Sequence, residues 1–529
     1  MSDGAGRREA DLPAGGPATP DSSASSAGPA VSADPAVSGA PAVSADPAVS
    51  ADPAASGAPT VSADPAVSGA PTVSADPALS ADPAVWEDAA VLGDPGFYGD
   101  LAADAKLLAG YATETERRLA LLPARPDRTA AEAERAEGLH EDCRAVRHAF
   151  LARHADAVYD ELTAGRTLRP RLPDLAAEAA LRFPGLVPDA AQLAAESGRL
   201  QAHKEGRAID QGIFFGALLR SPAAGTHLIE SMLRPAPGSA ARLAEFRRTD
   251  RLELPAVLLE RRGEGAYVTF RNGHCLNAED GRLIADLETA VDVALLDDRI
   301  RVGVLRGGPV THPRHAGRRI FSAGINLKEL HAGRISFVEF LLGRELGYVN
   351  KLARGLLREG PAAAGGTPAG KPWVGVVDAF AIGGGMQLLL VLDRVIAEEG
   401  AFLSLPAADE GIVPGLGNLR LTRLTGARTA RQVILSGRRI RTSDPAAALL
   451  VDEVLPAAAL DAAAERAVRE LAGPAVAANR AMLTLAEEPL ELLRGYLAEF
   501  AVVQARRIHS PDVLAKTERH QARSGRAPA

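Results

Sequence analysis

Cysteine is almost absent from this chain of 529 residues, which contains only Cys143 and Cys275. Two cysteines cannot build a disulfide framework or a cysteine-rich metal site. The first sixteen residues hold no apolar stretch of the kind that a secretion signal requires. Long apolar runs are also missing, because Asp378, Asp393 and several glycines interrupt the most apolar part of the chain. The sequence therefore predicts a cytoplasmic protein without a membrane span.

Strongly basic segments are lacking as well. The formal net charge is −8 and the isoelectric point is about 5.9. No basic patch interleaved with aromatic residues is present, so nucleic-acid binding is not predicted. Neither a Gly-x-Gly-x-x-Gly turn after a strand nor a P-loop occurs, so no nucleotide cofactor is indicated. Hydrophobic residues make up 47% of the chain, which is enough to bury a large core.

Large apolar side chains are rare at the start of the chain, where residues 13–83 repeat PAVSADPAVSGAP with small variations. Alternating prolines with no large side chain leave nothing to pack. We predict that residues 1–85 form a disordered Pro/Ala/Ser repeat tail. A docking role for the tail and a misassigned start of translation are the alternatives.

The helical sequence pattern of residues 86–251 predicts an all-helical N-terminal domain. Thr129 and Glu132 form a capping box at the start of a helix that continues to about residue 163. Its apolar face includes Cys143 and Phe150, so Cys143 is predicted to be a core residue rather than a nucleophile. The arginines and acidic residues of this domain are predicted to form a solvated face. Further helices are predicted at residues 175–182, 189–201 and 207–219.

The strand and helix patterns of residues 252–430 predict an α/β domain. Two apolar runs around the turn at residues 263–265 form a hairpin, and a helix is predicted from residue 277 to residue 296. Apolar strands are predicted at residues 301–306 and 373–378, and residues 402–405 and a loop to residue 417 follow them. Residues 431–529 are predicted to form a C-terminal helical region, within a run of helices from residue 429 to about residue 509.

Two glycine-containing turns have the same local pattern. Residues 383–385 are three glycines that connect a strand to the helical run 386–392, and Ser322-Ala323-Gly324 leads into another helix. Backbone N–H groups at such junctions approach a ligand without hindrance from side chains. Two such turns can donate to one oxygen and stabilise an enolate or a tetrahedral anion. The alternative is that the glycines only relieve crowding in a core crossover.

The order and spacing of these turns resemble the crotonase (enoyl-CoA hydratase/isomerase) superfamily. This resemblance implies a crotonase-like ββα spiral core in which Ile325 and Gly384 supply the two oxyanion donors. It also implies that the last helices cover the active site and build a trimer contact. A homo-oligomer is therefore expected, either a trimer or a dimer of trimers, which is a homohexamer.

The two glutamates that hydratases of this superfamily use for proton transfer are replaced here by Gln387 and Ala407. An amide and a methyl group cannot transfer protons, so a plain hydratase is not expected. Asp409 and Glu410 lie in the same loop, and an isomerase or thioester hydrolase of this fold would need one of them as its base. The alternative is that both are solvated loop carboxylates.

A longer pattern points to one branch of the superfamily. Residues 312–352, the GGGMQ turn and the EGIVPG loop resemble the family of dihydroxyphenylacetyl-CoA dioxygenases, from about Trp86 to near the end of the chain. The resemblance implies a metal- and cofactor-independent enzyme that takes a CoA thioester and O2 as substrates. Its products would be 3,5-dihydroxyphenylglyoxylate and CoA, within glycopeptide antibiotic biosynthesis. An acyl-CoA isomerase or hydrolase and a noncatalytic acyl-CoA-binding protein are the alternatives.

The same resemblance implies roles for individual residues. Gln387 faces the substrate, and the residues that bind the substrate are Glu279, His312, Phe321 and Arg344. The apolar pocket for O2 is lined by Leu327, Ile412 and Val513. Arg318 and Arg319 are expected near the phosphates of CoA. Surface charge and core packing are the alternatives for these residues, and none of them is identified as the base for the α-proton.

A metal site is not predicted. His312 and His315 have a spacing that ligands can adopt, but Pro313 lies between them in a loop without a nearby carboxylate.

Overall fold

The computed structural model describes residues 96–357 and 369–525. The predicted repeat tail, residues 1–85, lies outside the described residues. Among the residues described, no helix is long and apolar enough to cross a membrane. The predicted domain boundary between residues 251 and 252 falls inside the first strand, Arg251–Glu253, just after the last N-terminal helix ends at Thr249. The division into domains stays a prediction.

The described part of the N-terminal region, residues 96–250, consists of helices joined by turns and loops, as the sequence predicts. A short 3₁₀ turn, Arg125–Asp127, follows the first helix and another, Gln201–His203, precedes the fifth. The helices are α1 (Leu101–Leu119), α2 (Ala130–Leu162), α3 (Leu172–Arg182), α4 (Ala190–Glu196), α5 (Arg207–Arg220), α6 (Pro222–Met232) and α7 (Ser239–Thr249).

The longest of these helices, α2, begins at the predicted capping box. The hydroxyl of Thr129 accepts a hydrogen bond from the N–H of Glu132, whose carboxylate accepts one from the N–H of Thr129. Phe150 is fully buried and Cys143 is 1% exposed, so the predicted apolar face and the core position of Cys143 are confirmed.

The prediction of an entirely solvated charged face is wrong. Arg144 and Arg147 of α2 are buried, and both donate to the fully buried carboxylate of Asp210 on α5. Burial disfavours the charge of Asp210, but the two guanidinium groups overcome this and lower its pKa. A hydrophobic-pattern argument assigns charged residues to the surface and misses such a pair.

The α/β region is built on a seven-stranded sheet in the described part of the chain. The strands of the two sheets are β1 (Arg251–Glu253), β2 (Val257–Arg262), β3 (Gly265–Phe270), β4 (Val302–Gly307), β5 (Trp373–Val377), β6 (Phe380–Ile382), β7 (Arg394–Glu398), β8 (Phe402–Ser404), β9 (Ile440–Arg441) and β10 (Glu453–Leu455). The order in the seven-stranded sheet is β1-β2-β3-β4-β5-β7-β10, antiparallel from β1 to β3 and parallel from β3 onward. A smaller sheet has the order β6-β8-β9.

The central strands are buried on both faces, which explains their continuous β-branched sequence. Every residue of β5 is buried. Trp373 on β5 pairs with Gly303 on β4, where an added Cβ would lie 2.0 Å from the indole ring. The hairpin β2–β3, the strands β4 and β5 and the α/β class are as the sequence predicts.

The helices of this region lie on the sheet and around its carboxyl edge. A six-residue π-helical turn, Phe337–Leu342, precedes α10, and further 3₁₀ turns are Gly273–Cys275 and Pro313–His315. The helices are α8 (Gly281–Leu296), α9 (Leu327–His331), α10 (Gly343–Leu346), α11 (Tyr348–Arg354), α12 (Gly384–Leu389) and α13 (Ala407–Glu410).

The predicted start of α8 at residue 277 is wrong. Leu276 and Asn277 have positive φ values of 61° and 53°, so neither belongs to a right-handed helix. The helix begins at Gly281, where the side chain of Asp280 caps it by accepting from the N–H of Leu283. Glu279 therefore precedes the helix, in an isolated bridge with Ile325.

The C-terminal region is helical but not continuously so. The strands β9 and β10 and the 3₁₀ turns Pro445–Leu449 and Ala457–Ala459 interrupt the predicted run of helices. The first helix begins at residue 417 and bends at Gly426, where φ is 75°. The helices are α14 (Gly417–Ser436), α15 (Leu460–Leu471), α16 (Pro474–Glu487), α17 (Leu490–Arg507) and α18 (Pro511–Gly525).

The N-terminal and C-terminal helices are in close contact. Gly212 and Gly216 of α5 face α17, and a Cβ on Gly212 would lie 2.6 Å from the Cβ of Ala505 and 2.7 Å from the carbonyl oxygen of Ala501. A Cβ on Gly216 would lie 2.9 Å from the carbonyl oxygen of Ala498. Glycine at both positions permits the two helices to approach this closely. The same main hydrophobic core includes buried residues of the helical and the α/β regions.

Candidate functional site

The two glycine-containing turns meet next to each other. Ser322 pairs with Ala381 in an isolated parallel bridge, which holds the first turn against β6. Gly324 has a φ of 83°, and a Cβ added to it would lie 3.2 Å from the backbone nitrogen of Gly384. Only glycine satisfies both the backbone conformation and this close approach.

The N–H groups of Ile325 and Gly384 are available to a ligand. Within residues 96–357 and 369–525, no backbone oxygen accepts a hydrogen bond from either group. Gly384 is the first residue of α12, where a helix leaves its N–H groups without intrahelical partners. Both residues line the same cleft. The arrangement suits an oxygen that carries negative charge.

A buried ion pair closes one side of the cleft. Arg344 of α10 donates from Nε and Nη2 to Glu279 at 3.0–3.1 Å, and the hydroxyl of Tyr348 donates to the same carboxylate at 2.7 Å. Nη1 of Arg344 donates to Glu345 at 2.6 Å. Burial disfavours the guanidinium charge, but Glu279, Tyr348 and Glu345 hold the pKa of Arg344 well above its usual range. Arg344 is therefore a permanent cation inside the protein.

Arg344 also holds two groups of α12, the carbonyl of Gly384 and the side-chain amide of Gln387. Its Nη2 donates to the carbonyl oxygen of Gly384 at 2.9 Å, and its Nη1 donates to Oε1 of Gln387 at 3.0 Å. Because Gln387 uses its oxygen as an acceptor for Arg344, its amide NH2 group is the part left to donate. No acceptor for that NH2 group occurs among the residues that the structure describes.

The π-helical turn positions Arg344. The N–H of Leu341 reaches the carbonyl oxygen of Ser336, five residues earlier, at 3.1 Å. Phe340 and Leu341 of this turn line the cleft beside Arg344. π turns often occur at functional sites, and this one directly precedes α10.

The cleft combines apolar walls with a few polar groups, which is typical of small-molecule sites. Helix α17 contributes Phe500 and Gln504, so the C-terminal region forms part of the wall. The lining residues are Glu279, Ile325, Phe340, Leu341, Arg344, Glu345, Gly384, Gln387, Leu405, Ala407, Glu410, Ile412, Val413, Pro414, Gly415, Phe500 and Gln504.

Six of the ten site residues predicted from the sequence lie together in this cleft, although their roles stay predictions. They are Glu279, Ile325, Arg344, Gly384, Gln387 and Ile412. The remaining four lie outside its lining. Phe321 is fully buried and packs on Phe270 with ring centroids 5.4 Å apart. His312 is partly buried beside His315.

The other two residues pack in the main core, outside the lining of the cleft. Leu327 is partly buried and packs against the main core. Val513 is fully buried, and a Cβ added to Gly411 would lie 2.8 Å from its Cγ2. Val513 therefore supports the loop that presents Ile412.

Sequence reasoning missed the residues that hold Arg344 and Glu279 in place. Glu345 follows Arg344 directly, and Tyr348 lies four residues after Arg344. A spacing of four residues places two side chains on one side of a helix, but α10 ends at Leu346 and α11 begins at Tyr348, so helical spacing does not account for this contact. Nothing in the sequence indicates that Glu345 is buried.

His312 and His315 lie beside each other, with ring centroids 6.1 Å apart. Among the described residues, no group of three or more His, Cys, Asp or Glu side chains is arranged to hold a metal ion.

The chain is similar to several known proteins. The enoyl-CoA hydratase/isomerase family pattern matches residues 367–496. The chain is 52% identical over 413 residues to a (3,5-dihydroxyphenyl)acetyl-CoA 1,2-dioxygenase of Amycolatopsis orientalis, covering 78% of this chain and 95% of that relative. It is 30% identical over 200 residues to a probable enoyl-CoA hydratase of Rhizobium meliloti (strain 1021), covering 38% of this chain and 68% of that relative.

A solved structure gives a further similarity. The crystal structure of an enoyl-CoA hydratase/isomerase from Xanthobacter autotrophicus Py2 has a TM-score of 0.43 and 24% sequence identity, covering 52% of this chain and 100% of that chain.

Proposed function

Because the chain belongs to the enoyl-CoA hydratase/isomerase family, we propose that it applies the oxyanion chemistry of this fold to an arylacetyl-CoA thioester. The proposed reaction converts 3,5-dihydroxyphenylacetyl-CoA and O2 to 3,5-dihydroxyphenylglyoxylate and CoA. The chain spans 95% of the Amycolatopsis relative, whose name states this substrate and this class of reaction.

The observation that carries the proposal is the pair of available N–H groups at Ile325 and Gly384. They donate to the thioester oxygen, and the bonds strengthen when that oxygen becomes an enolate. Loss of one such donor typically lowers the rate by about 10²- to 10³-fold.

The reaction balances without a further reagent. Removal of one α-proton gives an enolate, whose charge spreads into the dihydroxyphenyl ring, and this electron-rich carbon reduces O2 to form a carbon-bound peroxide. The peroxide attacks the thioester carbon and expels the CoA thiolate. Cleavage of the O–O bond with loss of the second α-proton leaves the α-keto acid. Both oxygen atoms of O2 enter the product, and the thiolate takes up a proton.

Gln387 and the Arg344–Glu279 pair have different roles in this proposal. The free NH2 group of Gln387 donates to a thioester or peroxide oxygen but cannot protonate it. Arg344 holds the Gly384 carbonyl and the Gln387 amide in one arrangement, so both donors are positioned before the substrate binds. Glu279 accepts a hydrogen bond from a ring hydroxyl in addition to those from Arg344 and Tyr348.

The apolar part of the cleft serves the O2 step. Ile412 lines the cleft, Leu327 packs against the main core and Val513 lies near Gly411. In this proposal the three side chains form a dry pocket for O2. His312 and Phe321 flank the arm of CoA. The enzyme needs no metal or organic cofactor, acts in the cytoplasm and forms a homo-oligomer.

Hydration of an enoyl-CoA is not part of the proposal, because Gln387 and Ala407 occupy the positions where the hydratases have glutamates. Both residues line the cleft. A cleft lining with an amide and a methyl group at these positions cannot add water by acid–base catalysis there.

Oxygen uptake by the chelator-treated protein tests the proposal. With 3,5-dihydroxyphenylacetyl-CoA in air-saturated buffer, we expect one O2 consumed for each CoA released, without an added cofactor. Phenylacetyl-CoA is the matched control substrate, since it lacks the hydroxyl groups that delocalise the carbanion, and we expect much slower uptake.

Two results would refute the proposed function. CoA release without O2 uptake would identify a thioester hydrolase. Neither CoA release nor O2 uptake, with the substrate still binding, would identify a noncatalytic acyl-CoA-binding protein.

A further inference from the structure

The cleft is lined by three carboxylates, and two of them are already neutralised. Glu279 accepts from Arg344 and Tyr348. Glu345 accepts from Nη1 of Arg344 at 2.6 Å and from the N–H of Leu416 at 3.1 Å. The carboxylates of both residues are already occupied as acceptors of these hydrogen bonds. Neither residue is suited to removing a proton from a substrate.

The third carboxylate, Glu410, is different. It lines the cleft together with Ile325 and Gly384. Within residues 96–357 and 369–525, the structure gives its side chain no hydrogen-bond or ion-pair partner. Glu410 is the last residue of α13, one helical turn after Ala407, which lines the same cleft. The same cleft thus contains an unpaired carboxylate and the two proposed oxyanion donors.

Neighbouring side chains hold the backbone around Glu410 without neutralising its carboxylate. Nε of Arg507 on α17 donates to the carbonyl oxygen of Gly411 at 2.6 Å, and its Nη2 is paired with Asp512. Lys516 on α18 donates to the carbonyl oxygen of Ala408 at 3.1 Å. Arg507 and Lys516 therefore stabilise the backbone on either side of Glu410 rather than pairing with its carboxylate.

Asp409 is not an equivalent candidate. It is exposed, and its carboxylate lies against Gly437, where an added Cβ would be 2.6 Å from Oδ2. Asp409 does not line the cleft. The two adjacent acidic residues of the loop therefore face different surroundings.

We propose, on the basis of the proposed function, that Glu410 is the catalytic base that removes the α-proton of the acyl-CoA. The carboxylate takes the proton from the α-carbon, the electron pair of the C–H bond forms the enolate double bond, and the thioester oxygen receives the negative charge. Ile325 and Gly384 stabilise that oxygen. The carboxylic acid then returns its proton to the departing CoA thiolate.

The surroundings of Glu410 suit this role. Burial, with a smaller contribution from the charge of Asp409, raises the pKa of Glu410 to about 7. A base with a pKa near the working pH transfers protons most effectively. The charged or polar groups on the elements around it are Asp409 on its own helix, Arg344 and Glu345 on α10, Gln504 and Arg507 on α17, and Asp512 and Lys516 on α18.

Exchange of the α-hydrogens for deuterium under argon tests the proposal apart from the O2 step. With 3,5-dihydroxyphenylacetyl-CoA in D2O, we expect the wild type to exchange the α-hydrogens, followed by NMR. Glu410→Gln is nearly isosteric, and we expect it to slow exchange by at least about 100-fold while its binding of substrate and its melting temperature stay close to those of the wild type.

Asp409→Asn is the matched control. It keeps the base, so we expect exchange to continue. The wild-type rate rises with pH around a midpoint of about 7, because only the ionised carboxylate accepts a proton. Removal of the neighbouring charge shifts that midpoint to lower pH in Asp409→Asn. This shift tests the proposal even if Glu410→Gln does not fold.

The outcomes separate this proposal from the proposed function. Wild-type rates of exchange in Glu410→Gln, an unchanged midpoint in Asp409→Asn, or no exchange in the wild type would each overturn the assignment of Glu410. Exchange that depends on Glu410 but is accompanied by no O2 uptake in air would support the base and refute the dioxygenase.

Discussion

At the scale of single residues, Gly384 combines two demands that only glycine meets. Its N–H is available at the start of α12, and its Cα lies against the Glu279–Arg344 pair. A Cβ at this position would be 1.9 Å from Oε2 of Glu279 and 3.2 Å from Nη2 of Arg344. The donor and the buried ion pair are therefore in direct contact.

Gly384→Ala tests this contact. The methyl group displaces Glu279, which loosens Arg344 and moves the N–H donor, so we expect kcat/KM for O2 uptake to fall by at least about 100-fold. We also expect the free energy of unfolding to fall by about 1–3 kcal/mol because of overpacking.

Gly281→Ala is the control for this substitution. Gly281 is the first residue of α8, and an added Cβ would have no neighbour within 4 Å. Unchanged activity and a stability equal to or slightly above that of the wild type are expected. Similar activity in the two variants would contradict the proposed donor.

The sequence predicted single residues well where local chemistry determines their place. The capping box of Thr129 and Glu132 and the core position of Cys143 are such cases. Prediction from the sequence failed where a charged residue pairs with a residue far away in the sequence. Arg144 pairs with Asp210, and Arg344 pairs with Glu279, only because separate elements pack together. No local sequence pattern predicts either ion pair.

At the scale of elements, the contact of α5 with α17 depends on small residues. Gly212 and Gly216 lie where α17 presents Ala498, Ala501 and Ala505. The backbones approach because none of these positions has a large side chain. Since α17 also supplies Phe500 and Gln504 to the cleft, this contact determines where one wall of the cleft lies.

Gly212→Ala tests the contact of the two helices. The added methyl group forces α5 and α17 apart, and we expect the free energy of unfolding to fall by about 1–3 kcal/mol in urea titrations. Gly138→Ala on α2 is the control, since Gly138 is exposed with no neighbour within 4 Å of an added Cβ. It should gain up to about 1 kcal/mol from helix propensity. Equal stability of the two variants would rule out a tight contact.

Elements with a strong pattern were predicted and short or irregular ones were not. The hairpin of β2 and β3 alternates and has a glycine turn, which identifies it. The strand β10 has three residues, and its central Val454 is 40% exposed, so no buried run marks it. The start of α8 was misplaced because Leu276 and Asn277 adopt positive φ values that their residue types do not require.

At the scale of the whole molecule, the helical and α/β regions are connected by polar contacts as well as by the common core. Lys351 of α11 is fully buried and pairs with Glu288 and Asp292 of α8. Arg171, which precedes α3, donates to the same Glu288 at 2.6 Å. The regions therefore share an ion pair, and removing either region separates Arg171 from Glu288.

A fragment of residues 252–529 tests this dependence. It lacks α5, which covers α17, and we expect it to be insoluble or to lack a cooperative unfolding transition. The full chain should unfold in a single transition by circular dichroism at both near-UV and far-UV wavelengths. A soluble fragment with its own cooperative transition and O2 uptake would show that the helical region is independent.

The π-helical turn before Arg344 has a consequence for how this site can change during evolution. A π turn contains one more residue than an α turn. Deleting one residue from Phe337–Leu342 would allow a regular α-helix to form and would rotate the following residues by about 100°. Arg344 would then leave the cleft although every site residue was still encoded. The position of Arg344 is thus set by the length of the chain before it, and the loss of a single codon would remove its side chain from the cleft.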